Sequence, residues 1–233
     1  NSNGSYWRGK PPFASVEFQA VKDGATRIAN LKTGSADLVV AVSPDQAPEI
    51  KNHKGIKVLS SPTERVGYMM MNTQHGPLAD IRVRRAIAHG LNRQLIIDAL
   101  LGGYGEVVSQ LLTPAHFGWV DGIPTLDYDP TKAKALLKEA GYKSSDVLVL
   151  NTSTRFSQQL NQAVQQQLAE IGVTMDISVT DHPTYLSKRT ARPEGFGGFA
   201  IGRWSCACQD ADGVLYAMFH STSKWSKFAD PEM

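Results

Sequence analysis

The sequence has 233 residues, of which 42% are apolar, and its 24 Lys and Arg residues nearly balance its 22 Asp and Glu residues. A chain of this size buries enough apolar surface to fold as one or two domains without cross-links. Its net charge of +2 provides no basic arm for binding phosphates, which argues against nucleic acid as a partner. The longest apolar run, residues 38–42, is far shorter than the about 20 residues that a membrane-spanning helix needs.

Helices with recognisable caps alternate with strand-like segments along the chain. Asp23 is placed to cap a helix that Gly34 ends, and Asp129 precedes a second helix that Gly141 ends. Further helices are predicted over residues 80–89, over residues 92–101 and before Gly172. Strands are predicted over residues 16–21, 38–42, 56–59, 65–72, 147–151, 173–179 and 199–204.

Short connections between these helices and strands are typical of layered α/β domains. The turn residues of segment 72–80 follow a Met-rich strand and indicate a domain boundary near Asn72. Between Gly102 and Asp129 the chain contains several Pro and Gly residues and shows little periodicity. Irregular connections of this length commonly carry function or line a binding site. The sequence therefore predicts two α/β domains and a functional loop in the second.

Cys206 and Cys208 are the only cysteines and lie one residue apart. A disulfide between positions this close in sequence would be strained, so we expect two small, unpaired side chains at the end of a strand. A zinc site needs at least three protein ligands. His220 and Asp210 could be recruited, but no second Cys or His pair stands at ligand spacing, so no metal is expected.

The sequence contains no signature of a catalytic site. A cysteine nucleophile would need a histidine base supplied from elsewhere in the fold. None of the six histidines lies in a motif that marks a base, and the GxSxG, HExxH, P-loop and GxGxxG motifs are absent. We therefore expect neither an enzyme nor a cofactor. A cysteine-dependent hydrolase and a protein-interaction module without a small-molecule ligand stay open as alternatives.

Five sequence blocks follow one another along nearly the whole chain. They are NSNGSYWRGKPPF, LKTGSADLVV, MNTQHGPLADIRVRRAIAHGLNRQLIIDALLGGYG, DYDPTKAKALLKEAGY and QDADGVLYAMFHS. In this order the blocks resemble those of the bacterial extracellular solute-binding proteins of family five. That family comprises the peptide, nickel and oligosaccharide receptors of ABC importers.

The resemblance implies an α/β, periplasmic-binding-protein-like fold of type II, similar to cluster C, in which two lobes close on a ligand by a hinge. Residues 1–72 would form part of the first lobe with a hinge strand, and residues 73–233 would form most of the second lobe. The family's chain begins before Asn1, with a secretion signal, and continues beyond Met233. The present sequence is thus expected to be an incomplete middle fragment.

The function implied by the resemblance is reversible binding without chemistry. A small polar solute, which could be peptide-like, a sugar or opine-like, would bind in the cleft between the lobes and be delivered to the membrane permease of an ABC importer. The full-length receptor would be a monomer, periplasmic or extracellular, either free or anchored by a lipid.

The resemblance also suggests where the solute would bind. In the peptide-binding members, an aspartate three residues after a tryptophan pairs with the ligand's α-amino group, and here Ala207 takes that place. Losing this charge-assisted contact, worth about 1.5–3 kcal/mol, argues against a ligand held by a free amine. Trp204 remains for stacking, unless it belongs to the core, and Cys206 and Cys208 remain for soft apolar contacts.

Two polar residues beside the tryptophan are further candidates for ligand binding. Arg203 precedes the tryptophan directly, and Asp210 lies in the segment that follows it. A carboxylate in this segment could instead cap the next helix, and Asp212 is favoured for that role over ligand binding.

Three candidates lie elsewhere in the chain. Asn72 stands at the predicted boundary and is expected to hold the turn rather than the ligand. Gln110 lies in the long irregular segment, where it could reach the ligand or be solvated. Arg155 begins a helix close to the end of a strand, which is the usual place for ligand contacts in α/β proteins.

Overall fold

The computed structural model describes residues 2–191, 196–206 and 208–227. The chain divides into two compact units, of which the first ends at Leu59 and the second begins at Ser60. The strand predicted to serve as a hinge, within residues 65–72, therefore belongs to the second unit. The assignment of residues 1–72 to one lobe and of residues 73–233 to another stays a prediction.

The first unit contains two helices, α1 (Gly24–Thr33) and α2 (Ala47–Lys51). The predicted caps of α1 are confirmed, since the Asp23 side chain accepts a hydrogen bond from the Thr26 amide at 2.8 Å and Gly34 adopts φ 76°. The strands predicted over residues 16–21, 38–42 and 56–59 are wrong for this structure, which has no strand within residues 2–59. Each segment lacks a hydrogen-bonded neighbour there, and a β-strand forms only against a partner.

The second unit is built on a mixed four-stranded sheet. Its strands are β1 (Val66–Met71), β2 (Leu148–Ser153), β3 (Met175–Thr180) and β4 (Phe199–Trp204). The strand order is β1-β4-β2-β3. The pairs β2–β3 and β2–β4 are parallel, whereas β1 runs antiparallel to β4. These four strands confirm the predicted strands of the second unit to within a few residues.

Helices and one short 3₁₀ turn connect and cover these strands. They are the 3₁₀ turn Gly76–Ala79, α3 (Ile81–Gly90), α4 (Arg93–Leu101), α5 (Pro130–Glu139), α6 (Gln158–Glu170), α7 (His182–Thr190) and α8 (Asp212–Phe219). The predicted helices over residues 80–89 and 92–101 are confirmed as α3 and α4. Helix α7 was not predicted, although Asp181 caps it by accepting a hydrogen bond from the Thr184 amide at 2.9 Å.

The two faces of the sheet bury different sets of side chains because successive residues of a strand point to opposite faces. Phe199 and Ile201 of β4 belong to the main core, together with Leu150 of β2 and Leu168 of α6. Ala200, between the two β4 residues, belongs instead to a smaller cluster on the other face. Strand β1 follows the same rule, since Met69 and Met71 pack against the main core whereas Tyr68 and Met70 pack on the opposite side.

The helices within the described ranges are all too short or too polar to cross a lipid bilayer. The longest, α6, has 13 residues and carries a row of glutamines.

Candidate functional site

The carboxyl ends of the parallel strands β2, β3 and β4 meet at one edge of the sheet, which we call the carboxyl edge. Open α/β sheets bind ligands at this edge. Arg155 lies just beyond the end of β2, in the turn before α6 and not at the start of a helix as predicted, and Arg203 and Trp204 end β4. Asn151 of β2 pairs with Ala200 of β4, so Arg203 lies level with the residues that follow β2. Two candidates that are distant in sequence are thereby neighbours.

Arg203 is held against the segment that follows β2. Its Nη2 atom donates a hydrogen bond to the Arg155 carbonyl oxygen at 3.4 Å, and its Cζ atom lies 5.6 Å from the centre of the Phe156 ring. Both arginines are exposed. The ion pairs found among the described residues involve neither of them. The Arg203 guanidinium therefore lies against the backbone of Arg155 at the carboxyl edge.

His182, the first residue of α7, completes this part of the edge. Its Nδ1 atom lies 3.2 Å from the Ser153 hydroxyl oxygen, and its ring stacks on Tyr185 with a centroid separation of 5.9 Å. Burial lowers the pKa of His182, and the positive charge of Arg155 lowers it further. The folded protein therefore favours the neutral form of the ring. The contribution of His182 to stability is complete at a pH above the ordinary pKa of histidine, and it declines as the pH falls through the lowered pKa.

Replacing Arg155 with glutamine is expected to raise the pKa of His182, because a nearby positive charge disfavours the imidazolium. Burial would persist, so the pKa should stay below that of an unperturbed histidine. Titration of the His182 ring by NMR measures this shift. Arg85→Gln is the matched control because Arg85 is an exposed arginine of α3 that does not affect this ring. An unchanged His182 pKa in the Arg155 variant would show that the arginine does not act on this edge.

Trp204 forms part of a partly buried wall at the end of β4, on the face of the sheet opposite Arg203, because successive residues of a strand point to opposite faces. Its Nε1 atom donates a hydrogen bond to the Gly213 carbonyl oxygen at 3.2 Å. Its ring packs edge-on with the Trp225 ring, and the two ring centroids are 5.7 Å apart. It packs on a cluster that includes the buried side chains of Val214 and Met218. The indole is thus half-buried, and its N–H bond is directed to the protein. Trp204 is available to a solute through its ring surface rather than as a hydrogen-bond donor.

A buried arginine supports this wall and was missed by the sequence analysis. The Cζ atom of Arg189 lies 5.5 Å from the Tyr68 ring centre and 5.0 Å from that of Trp225, and its Nη2 atom donates a hydrogen bond to the Tyr68 hydroxyl. Only 5% of Arg189 is exposed, and the ion pairs of the described residues do not include it. Burial raises the pKa of Tyr68 to about 12. Cation–π contacts with two rings thus stabilise the guanidinium.

Cys206 and Cys208 form a disulfide, so the expectation of two unpaired side chains is wrong. The bond is accommodated over Gly213, where an added Cβ atom would lie 2.3 Å from the Cys206 sulfur and 2.9 Å from the Cys208 sulfur. In this state neither sulfur is a thiolate, so neither can act as a nucleophile or a zinc ligand. Within residues 2–191, 196–206 and 208–227 no group of three metal-ligating side chains occurs.

Removing the disulfide is expected to leave the fold intact. It joins cysteines that are only two positions apart, so closing this short loop accounts for about 1.5 kcal/mol at most. The double substitution Cys206→Ser and Cys208→Ser should lower the free energy of unfolding by no more than this, as should reduction of the native protein. Urea unfolding followed by circular dichroism measures both. Global unfolding on reduction alone would contradict this view of the disulfide.

The segment after the disulfide is held by backbone contacts and by a side-chain hydrogen bond of Asp210. The Phe117 amide donates to the Gln209 carbonyl oxygen at 2.8 Å, which ties this segment to the long irregular loop. An Asp210 carboxylate oxygen accepts a hydrogen bond from the Asp212 amide at 2.9 Å, at the start of α8. The expectation that Asp212 caps this helix is wrong, because Asp212 is its first residue and Ala211 occupies the cap position without a side-chain hydrogen bond.

The remaining candidates lie elsewhere. Asn72 follows Met71, which pairs with the first residue of β4, so Asn72 lies at the edge opposite Trp204. Its side chain donates to the Phe196 carbonyl oxygen at 2.7 Å and accepts from the Gln74 amide at 3.1 Å, in agreement with the expected turn role. Gln110 donates to the Val120 carbonyl oxygen at 2.6 Å within the long loop. Ala207 lies outside the described residues.

Comparison with known proteins gives the same family as the sequence blocks. The family model for bacterial extracellular solute-binding proteins, family 5, matches residues 1–226. The glutathione-binding protein GsiB of Salmonella typhimurium is 32% identical over 225 residues, which are 93% of this chain and 43% of that protein. The chain thus spans less than half the length of this relative.

Solved structures agree with the fold. The ABC transporter substrate-binding protein CtaP of Listeria monocytogenes superposes with a TM-score of 0.88 at 26% identity, over 99% of this chain and 48% of CtaP. The oligopeptide-binding protein AppA of Bacillus subtilis, solved with a nonapeptide, gives 0.77 at 22% identity, over 99% of this chain and 49% of AppA. All three relatives are named as binding proteins, in agreement with the expectation of a binding protein rather than an enzyme. The chain belongs to the bacterial extracellular solute-binding proteins of family 5 and has their type II periplasmic-binding-protein fold.

Proposed function

We propose that the complete protein is the substrate-binding receptor of an ABC importer, and that the carboxyl edge of its sheet forms one wall of the site for a peptide-like solute. The observation that carries the proposal is the convergence of Arg155, Arg203 and Trp204 at that edge. An aromatic surface and two arginine side chains at the same edge of the sheet suit a small solute with apolar and polar parts. The peptide class is supported by the relatives GsiB, a glutathione-binding protein, and AppA, solved with a nonapeptide.

The site binds without changing its solute, and the receptor then delivers the solute to a membrane permease. The paired sulfurs of Cys206 and Cys208 speak against a cysteine nucleophile at the edge. They also support a location outside the cytoplasmic membrane, periplasmic or extracellular, since disulfides persist in oxidising compartments. Lipid anchoring and a monomeric state of the full-length receptor are parts of the same proposal.

Binding of a solute panel by the complete receptor tests this function. Intrinsic tryptophan fluorescence and calorimetry would compare reduced glutathione, short peptides, an oligosaccharide and an opine. We expect at least one peptide-like solute to bind with micromolar or lower Kd, equivalent to about 8 kcal/mol or more. Trp204→Ala should weaken that binding about 10-fold, whereas Trp7→Ala, which changes an exposed tryptophan of the first unit, should not. A panel in which only a non-peptide solute binds would contradict the peptide class.

A further inference from the structure

We infer that the Cys206–Cys208 disulfide is a redox-active site, at which small thiols exchange with the bond through the sulfur of Cys208. Because it concerns this bond and not the bound solute, the inference does not depend on the proposed transport function. Three observations carry it: the short loop that the bond closes, the backbone contacts that hold the segment without the bond, and the unequal exposure of the two cysteines.

The bond contributes little to the stability of the fold. It joins residues two positions apart, so it links no distant parts of the chain. A disulfide resists reduction in a folded protein to the extent that it stabilises that protein, because the two effects are linked thermodynamically. The stabilisation from loop closure is smallest for short loops. Folding therefore gives this bond little protection against a reducing thiol.

The segment around the bond is held by main-chain hydrogen bonds that do not involve sulfur. The Gln209 amide donates to the Cys206 carbonyl oxygen at 2.9 Å, which closes a turn across the cysteines. The Phe117 amide donates to the Gln209 carbonyl oxygen at 2.8 Å, and the Ala211 amide donates to the Phe117 carbonyl oxygen at 3.0 Å. Opening the disulfide breaks none of these contacts. The two thiols would therefore stay close together, so the bond can form again.

The two cysteines differ in their access to solvent. Cys208 is exposed, whereas Cys206 is partly buried and packs against the cluster that includes Val214 and Met218. Attack on a disulfide depends on which sulfur an incoming thiolate can reach. A small thiol from solution therefore reacts with the Cys208 sulfur, and Cys206 is the sulfur that leaves.

The exchange balances in atoms and electrons. The sulfur of the attacking thiolate bonds to the Cys208 sulfur while the Cys206–Cys208 bond breaks, and the bonding pair leaves on the Cys206 sulfur as a thiolate. Renewed attack by Cys206 expels the small thiol and restores the disulfide. If a second small thiol attacks the mixed disulfide instead, two small thiols are oxidised to one disulfide, and their two electrons and two protons end on the cysteines. The co-reactant is a small thiol such as glutathione.

The state of the bond is transmitted to the tryptophan wall. Cys206 and Trp204 pack against the same cluster of buried side chains. The Trp204 Nε1 atom also donates to the carbonyl oxygen of Gly213, the residue over which both sulfurs lie. Opening the bond changes the surroundings of the indole, so tryptophan fluorescence reports the redox state.

Equilibration of the complete receptor with mixtures of reduced and oxidised glutathione tests the inference, with the free thiols counted by mass spectrometry after alkylation. A synthetic peptide of residues 202–213 is the reference, because no fold protects the same pair there. We expect the equilibrium constant for reduction of the receptor to lie no more than about 10-fold below that of the peptide. Stronger protection in the receptor would identify a structural cross-link and overturn the inference.

Fluorescence tests the link to the tryptophan wall. Reduction should change the tryptophan emission of the native receptor, whereas the double variant Cys206→Ser and Cys208→Ser should show no change under the same conditions. Equal emission of the oxidised and reduced native receptor would overturn the transmission to Trp204.

Two single variants test which sulfur reacts. Cys206→Ser leaves the thiol of Cys208, and Cys208→Ser leaves the thiol of Cys206. With oxidised glutathione, the Cys206→Ser variant should form the mixed disulfide about 10-fold faster, because its remaining sulfur is the accessible one. Circular dichroism checks that both variants are folded. Equal rates, or a faster reaction of the Cys208→Ser variant, would overturn the assignment to Cys208. None of these results depends on which solute the receptor binds.

Discussion

Replacing Gly198 with alanine is expected to lower the free energy of unfolding by at least about 3 kcal/mol, which is a large fraction of the stability of a typical domain. Gly198 precedes β4 and has φ 84°, a conformation that L side chains rarely adopt. An added Cβ atom would lie 2.4 Å from the Val149 carbonyl oxygen and 2.7 Å from its amide nitrogen. These are main-chain atoms of β2, so relief of the clash would require the strands to separate.

The loss should extend to the pairing of β1 with β4, because Gly198 also accepts a hydrogen bond from the Asn72 amide at 3.0 Å and so joins β1 to the start of β4. Urea unfolding followed by circular dichroism measures the effect. Gly197→Ala is the matched control, since a Cβ atom at Gly197 would meet no atom within 4 Å and its φ is not positive. Equal stability of the two variants would contradict the close approach of β4 to β2.

Replacing Arg189 with alanine is expected to cost about 2–4 kcal/mol of unfolding free energy. The change removes a buried side chain that contacts the rings of Tyr68 and Trp225 and donates to the Tyr68 hydroxyl. The cavity would lie beside Trp225, whose ring packs against Trp204. We therefore expect altered tryptophan fluorescence as well as lower stability.

Two further variants identify the cause. Arg189→Lys keeps the charge but loses the planar stacking between the rings, so it should show an intermediate loss. Lys188→Ala changes an exposed neighbour in the same helix and should cost less than about 0.5 kcal/mol. An Arg189→Ala protein as stable as the Lys188→Ala protein would show that the buried guanidinium does not support the tryptophan wall.

Local patterns were sufficient to predict most of the second unit. Strand β4 has the predicted bounds, and α5 begins directly after the predicted cap Asp129, whose side chain accepts from the Lys132 amide. Helix α7 was missed because its apolar stripe is short, with only Tyr185 and Arg189 buried. Its start was nevertheless recognisable, because Asp181 is followed by a proline in the first turn, Pro183, just as Asp129 is followed by a proline at the start of α5.

The strands predicted for the first unit show the limit of such patterns. An apolar run such as residues 38–42 indicates a segment that can enter a sheet, but not whether a neighbour exists to complete the hydrogen bonds. In the described part of the first unit, no strand lies beside this segment to complete those hydrogen bonds. Leu38 is accordingly 77% exposed and Val40 is 69% exposed, whereas the first four residues of β4 are buried.

The candidate site was predictable only in part. Arg203 and Trp204 were found because they end a recognisable strand, and Arg155 because it follows one. Their proximity depends on the strand order, which no local pattern contains. The disulfide was not expected because cysteines two positions apart were taken to give a strained bond, and the space that Gly213 leaves for the two sulfurs is not visible in a local pattern. The stacking of Arg189 between Tyr68 and Trp225 joins residues from three separate segments and left no signal in the sequence.

The central claim is that the carboxyl edge of the sheet holds the solute. A crystal structure of the complete receptor with the tightest-binding peptide of the panel tests it most directly. The account predicts ligand atoms in van der Waals contact with the exposed part of the Trp204 ring or within hydrogen-bond distance of Arg155 or Arg203. A peptide bound at another surface, with Trp204 and both arginines in contact with solvent alone, would contradict the account.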